Sequence, residues 1–308
     1  MIQVDNLSKH FDNNLGIHSL TFQVKPGEAF GILGPKGSGK TTTLRMLTAY
    51  LRPSSGTATV AGFDVFAQSL QVRQRVGYLP ETPSFYSDMT VSGYLNFVAK
   101  LRKLDRRDQR VGETLELCGL VKEDKMLIGK LSKGMRQRLG LAQAVIHKPD
   151  VVILDEPTSG LEPTEIVELL ELVKRLRQSQ TLILSSQALN EIEQICDRLL
   201  ILDKGTVVAD GTPDRLLARL EGGHTVRLRT VSAPPEAARA LESLDGVNRV
   251  SIAEAGCFDI ECSCGADCRS ALADLAVQNG WGLLELQSVD LSLDGVFLDL
   301  VAIPEVAV

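Results

Sequence analysis

GPKGSGKT, Gly34 to Thr41, is the stretch on which the reading of this chain turns. Glycines at Gly34, Gly37 and Gly39 let the backbone take conformations closed to other residues, so that successive N–H groups can turn inward around an anion. The pattern is that of a Walker A loop, in which Lys40 reaches the β- and γ-phosphates of a nucleotide and the Thr41 hydroxyl holds Mg²⁺. The apolar run Ala29 to Leu33 precedes it and reads as a buried strand. TTLRMLTAYL follows, with Leu44, Met46, Leu47 and Leu51 giving the apolar face of a helix. Strand, glycine loop and helix form the setting such a loop needs, and the helix N-terminus adds its partial positive charge. Gly34, Pro35, Lys36, Gly37, Ser38, Gly39, Lys40, Thr41 and Thr42 are therefore the candidate phosphate cradle.

A second element of phosphate chemistry is VVILDEP, Val151 to Pro157, where four apolar residues end in two adjacent carboxylates. Period-two alternation at a strand end sends Asp155 and Glu156 different ways. Asp155 is assigned to the metal and Glu156 to the attacking water. Alone, the pair would read as a capped strand end; with the phosphate loop upstream it reads as a Walker B strand.

Between the two lies LSKGMRQRLGLAQAV, Leu131 to Val145, a Ser and a Gly opening a helix just before Walker B. This resembles the signature motif of ABC ATPases, usually LSGGQ, with Lys133 and Met135 replacing the second Gly and the Gln. The resemblance covers Met1 to about Glu221. It implies that Ser132 and Gly134 face the γ-phosphate of ATP held by a second subunit. It also implies that Phe11 stacks on adenine, and that Glu81 in VGYLPE stands where most members have a Gln joining the metal shell. The YLPE and LSKG variants and the tail LSLDGVFLDL look most like ATP-binding subunits of bacterial exporters of the gliding-motility-associated and multidrug type.

Two positions depart from that family. TLILSSQ places Gln187 where a His usually contacts the γ-phosphate, and none of His10, His18, His147 and His224 can replace it by position. An amide donates a hydrogen bond but carries no positive charge, so turnover slowed rather than abolished is expected, the alternative being a neutral substitution with full activity. Glu162 in SGLEP replaces the usual Asp and moves its carboxylate by about one bond length.

The expected fold is α/β: a P-loop ABC ATPase domain over residues 1–221, with a RecA-like core, an antiparallel β subdomain and a helical insertion at about 82–148. Between Met89 and Lys130 the strand signals stop and the pattern is helical. From Glu221-Gly222-Gly223 the texture changes to β-α-β-β-α-β and a closing amphipathic helix, which implies a small ferredoxin-like accessory domain over residues 222–308.

At 308 residues and 44% hydrophobic content the chain can bury a substantial core. No apolar run approaches the roughly 18 residues needed to span a bilayer, and MIQVDNLSKHF lacks a signal peptide's apolar core. A peripheral position on the cytoplasmic face of the cell membrane, with reduced thiols, is expected. The formal charge is −6; residues 224–308 hold 5 Arg, no Lys and 13 Asp plus Glu, a balance of −8 that leaves +2 for the rest. No basic stripe suits nucleic acid, which argues against ABC ATPases of DNA or ribosomes.

Cys257, Cys262, Cys264 and Cys268 crowd into twelve residues, but their spacing matches no paired C-x₂-C knuckle. Either a metal site or structural thiols could follow; Phe258, Ile260 and Cys262 would share one strand face, which favours core packing. Cys118 and Cys196 lie on helical patterns as core residues. The resemblance thus implies an ATP- and Mg²⁺-using exporter subunit, paired as a homodimer or heterodimer and joined to a membrane permease. A weakly hydrolytic clamp beside a more active sister, or a soluble ABC ATPase outside transport, are the alternatives.

Overall fold

Strands that are apolar at every position leave no face for water and must lie inside a sheet covered on both sides. Ala29–Leu33 (β3) and Val151–Asp155 (β7) are buried at every residue in the computed structural model, which describes residues 1–11, 16–220, 223–234, 237–254, 256–263 and 268–289. They belong to a six-stranded sheet with β6 (Val76–Leu79), β8 (Thr181–Ser186), β9 (Arg198–Asp203) and β10 (Thr206–Gly211), in the order β10-β9-β3-β8-β7-β6. All neighbours run parallel except β10, which is antiparallel to β9. The carboxyl ends of β3, β7 and β8 therefore open on one edge, where ligands of such sheets bind.

A four-stranded antiparallel sheet, ordered β2-β1-β4-β5, combines β1 (Ile2–His10), β2 (Gly16–Val24), β4 (Ser55–Val60) and β5 (Phe63–Asp64). Helix α1 (Lys40–Leu47) shares one apolar core with both sheets: Leu44, Met46 and Leu47 join Ile17, Leu20 and Val60 on one side and Phe30, Ile32 and Ile153 on the other. Phe22 and Phe30 stack at 5.4 Å. The helix expected to reach Leu51 stops at Leu47. Ala49 takes the left-handed conformation, φ 57, and the amides of Tyr50 and Leu51 both donate to Arg45 O at 2.9 Å, which closes the last turn.

After α2 (Ser69–Arg75) come α3 (Val91–Leu101), α4 (Arg107–Leu117) and α5 (Lys133–Val145), with two short 3₁₀ turns between the last pair. Thr90 caps α3 by accepting from the Gly93 amide at 3.1 Å, and Cys118 is wholly buried. α6 (Pro163–Arg177) and α7 (Leu189–Ile192) follow β7 and β8, and Cys196 is buried next to α7. None of the described helices is long and apolar enough to cross a membrane.

The chain divides into two compact units, Met1–Pro213 and Asp214–Val308. Helix α8 (Pro213–Leu220) begins at that division. The second unit runs β11 (Gly223–Thr230), α9 (Ala237–Glu242), β12 (Val247–Glu254), β13 (Cys257–Ser263), α10 (Arg269–Gln278) and β14 (Leu283–Val289), with its antiparallel sheet ordered β12-β13-β11-β14. That is the ferredoxin-like strand order. Phe258, Ile260 and Cys262 share the buried face and pack with Leu241, Leu272 and Trp281, because residues two apart on a strand point the same way. Among the described residues no group of three or more His, Cys, Asp or Glu could hold a metal ion. Cys264, the closing helix and LSLDGVFLDL lie outside the described residues.

Candidate active site

The loop between β3 and α1 owes its shape to glycine at positions where a side chain has no room. Gly39 caps α1 at φ 104, and a Cβ there would come within 2.2 Å of Ile17 Cδ1. The tightened loop turns Lys40 back over its own carbonyls: Nζ donates to Gly34 O at 2.5 Å and Pro35 O at 3.1 Å, and meets Glu156 Oε1 at 3.0 Å. Both charged groups are buried, at 5% and 8% exposure, so each needs the other.

Across the sheet edge, Asp155 gathers three hydroxyls. Its Oδ1 accepts from Thr41 at 3.1 Å and from Ser185 at 2.8 Å, and its Oδ2 accepts from Tyr78 at 3.3 Å. Burial, and then the Asp155 charge, hold the Tyr78 hydroxyl well above its usual value, so it stays a donor. Glu156 lies beyond the end of β7 in the left-handed region at φ 46, and its amide donates to Ser185 Oγ at 2.9 Å. The divergence expected from strand alternation is thus produced by a backbone reversal after Asp155.

Lys36, Gly37, Gly39, Lys40, Thr41, Thr42, Glu81, Glu156, Ser159 and Gln187 line one cavity of about 420 Å³. Glu81 Oε1 accepts from Ser159 Oγ at 3.3 Å, which ties the segment after β6 to the loop after β7. Gly34, Pro35 and Ser38, expected in the phosphate cradle, are not among the residues lining this cavity; within the loop the Ser38 amide donates to Pro35 O at 3.1 Å. A larger cleft of about 540 Å³, bordered by Met1, Arg110, Glu113 and Lys148, contains none of the motif residues.

The signature residues stand apart from this cavity. Ser132 caps α5, accepting from the Met135 amide at 3.2 Å, and donates to Glu165 Oε1 at 3.3 Å. A Cβ on Gly134 would touch the same carboxylate at 2.4 Å, so Glu165 lies over the start of α5. Glu162 caps α6 and forms a capping box with Glu165, whose Oε2 accepts the Glu162 amide at 3.4 Å. Phe11, at the end of β1, is half-exposed with the Lys9 ammonium 5.5 Å from its ring centroid, and is not among the residues lining the cavity.

A parallel sheet carrying a phosphate loop, an aspartate bound to the loop's threonine and a glutamate at its lysine defines a P-loop nucleotide-binding protein. Residues 17–159 match the family model described as ABC transporter. The chain is 34% identical to the linearmycin resistance ATP-binding protein of Bacillus subtilis (strain 168), over 97% of this chain and 98% of that one. It is 32% identical to the bacitracin transport ATP-binding protein of Bacillus licheniformis, over 98% of this chain and 97% of that one. A solved structure described as the ATP binding subunit of an ABC transporter superposes with a TM-score of 0.65 at 28% identity, covering 72% of this chain and 93% of its own. The chain belongs to the ABC transporter family as an ATP-binding subunit, in the family whose members hydrolyse ATP to power transport.

Sequence reasoning passed over Tyr78, Ser185 and Glu165. The first two sit in largely apolar strands, VGYL and TLILSS, where no motif marks one hydroxyl over another, and only the parallel register brings them to Asp155. Glu165 had a local signal, the E-x-x-E spacing of a capping box at Glu162.

Proposed function

We propose that this chain is the ATP-hydrolysing subunit of an exporter, working as one of a pair beneath a separate membrane permease at the cytoplasmic face of the cell membrane. The observation that carries the reading is the cluster at the carboxyl end of the parallel sheet, where buried Lys40 meets buried Glu156 and the half-buried Thr41 donates to buried Asp155. One relative is named for linearmycin resistance and another for bacitracin transport, and outward pumping is the activity that joins those names.

An ammonium has three N–H groups, and Lys40 already meets three oxygens, so reaching a phosphate requires it to give one up. The two carbonyls are fixed in the loop, whereas the Glu156 carboxylate is repelled by an incoming phosphate. Seating the phosphates therefore frees Glu156 to orient a water for in-line attack, while Lys40 offsets the charge that develops. Gln187, on the same cavity wall, donates to the γ-phosphate without positive charge, and turnover is slower for it. Hard oxygen donors suit Mg²⁺, so Thr41 and Asp155 would hold it with Glu81 nearby; when bound it neutralises charge on the phosphates.

Ser132 is exposed and outside its own chain's cavity, so with Gly134 it faces ATP held by a second ATP-binding subunit, a copy of this chain or a close relative. Phe11 stacks on the adenine. The permease docks on the exposed rings of Tyr86 and Phe97, packed edge to face at 5.9 Å, with Leu101 beside them. These rings follow Glu81 on the same stretch of chain, so docking and the cavity wall move together.

The test is the complex purified with its permease. Glu156→Gln should retain ATP, stabilise the pair on size exclusion and abolish most turnover. Wild-type protein that neither binds nor hydrolyses ATP, or a Gln variant with full turnover, overturns the reading.

A further inference from the structure

Ser185 is wholly buried at the end of β8, in parallel register with Asp155 on β7. A serine hydroxyl offers one donor and can accept in return, and both capacities are used on residues of the proposed hydrolytic site. The donor goes to Asp155 Oδ1 at 2.8 Å, and the acceptor takes the Glu156 amide at 2.9 Å. Its neighbours on the same strand end face elsewhere: Ser186 Oγ donates toward Ala188 O and accepts from the Ala188 amide, and Gln187 lines the cavity.

We infer that Ser185 is a positioning residue for hydrolysis, one hydroxyl that fixes both the metal-side carboxylate and the backbone from which the water-side carboxylate projects. The inference rests on the roles given to Asp155 and Glu156 above. At φ 46 the Glu156 amide has left the ladder between β7 and β8, and a buried amide must find a partner or incur the cost of losing water. Ser185 supplies that partner and thereby favours the left-handed turn that aims Glu156 at Lys40. The same oxygen holds Asp155 Oδ1 where Thr41 also reaches it, so two ligands of one cation are kept in register by a group that does not touch the cation. Alanine at 185 would remove both bonds while leaving the loop, Lys40 and Glu156 chemically intact.

The experiment compares wild type with Ser185→Ala, Ser185→Thr and Ser185→Cys in the full complex. Loss of an outer-shell partner costs about 10- to 100-fold in metal affinity or activity. Ser185→Ala should raise the Mn²⁺ concentration that half-saturates the complex with a non-hydrolysable ATP analogue, read by electron paramagnetic resonance, by about tenfold or more, and lower kcat to match. Binding of a fluorescent nucleotide in EDTA should stay within about twofold of wild type, and Ser185→Thr, which keeps the hydroxyl, should restore Mn²⁺ affinity. If the Ala protein does not fold, Ser185→Cys takes its place, since a thiol is a weak donor and acceptor. Unchanged Mn²⁺ affinity and kcat in the Ala or Cys protein, or a Thr protein as impaired as these, overturns the inference. Wild type that binds no nucleotide overturns the functional reading instead, so the two failures are distinct.

Discussion

At the phosphate loop, side chains from α1 and three strands close on one another inside the protein: Lys40 on Glu156, Thr41 and Ser185 on Asp155, and Tyr78 on the far carboxylate oxygen. At the start of α5 the arrangement is the reverse. Ser132 is exposed, and the chain's own Glu165 carboxylate rests on the hydroxyl and against Gly134. Both regions present a helix N-terminus to negative charge, which the macrodipole favours. The first is braced by bonds across a parallel sheet and is complete within one chain. The second is covered by a carboxylate from the next helix, which accepts from Ser132 through one oxygen and from the Glu162 amide through the other. The difference matches the two roles proposed above, in which the loop binds the nucleotide and the signature helix faces a second subunit.

Disabling the two regions separately tests whether they act in different chains. Lys40→Ala should abolish nucleotide binding and lower ATPase by more than about 10²-fold, because the other cation among the described residues lining the cavity, Lys36, is exposed to solvent. Ser132→Ala should leave ATP binding intact, measured by equilibrium titration, yet cost about 10²-fold in turnover of the pair, the usual effect of losing one donor to developing charge. Mixing the two inactive proteins should then restore activity, since a pair formed from them contains one intact loop facing one intact signature. No recovery on mixing, with pairing verified, would mean that both halves act within one chain.

A smaller effect is expected at Gln187. Gln187→His introduces a group able to carry positive charge on the cavity wall, and ATPase of the assembled complex should rise severalfold. A histidine protein no faster than wild type would show that the amide already suffices, and the loop side would then be complete as it stands.

The loop side was legible because its constraints are local. A glycine at φ 104, a lysine one residue on and a run of apolar residues ending in two acids all lie within short windows of sequence. The β-α-β-β-α-β order of the second unit was legible for the same reason, since alternation and helical spacing are read a few residues at a time. What escaped depends on register or on backbone choice. Ser185 meets Asp155 across thirty positions of sequence, and nothing in TLILSS announces which hydroxyl will face β7. The early end of α1 followed from Ala49 entering the left-handed region, which its composition does not favour. The E-x-x-E spacing marks Glu165 as a helix-capping acid, but that its other oxygen reaches Ser132 is a matter of where α5 and α6 pack.

Glu165 offers the finest probe of the comparison, because it serves both helices at once. On α6 it lies in the first turn, where an acid is favoured by the helix dipole and closes the capping box with Glu162. On α5 it places negative charge where the partner's phosphate is proposed to arrive, so pairing must first displace or neutralise it. Glu165→Gln keeps the shape and an acceptor oxygen but removes the charge. An end-of-helix charge is worth about 0.3–1 kcal/mol, so ATP-driven pairing should tighten by about two- to fivefold. The same loss at α6 should lower the melting temperature slightly, and raised salt should shrink the gain in pairing by screening the charge in wild type. Dimerisation measured by analytical ultracentrifugation across a salt series separates these terms. Equal pairing in the two proteins at every salt concentration would mean that the carboxylate does not occupy the phosphate's place, and that the signature helix is as open to its partner as the exposed Ser132 alone implies.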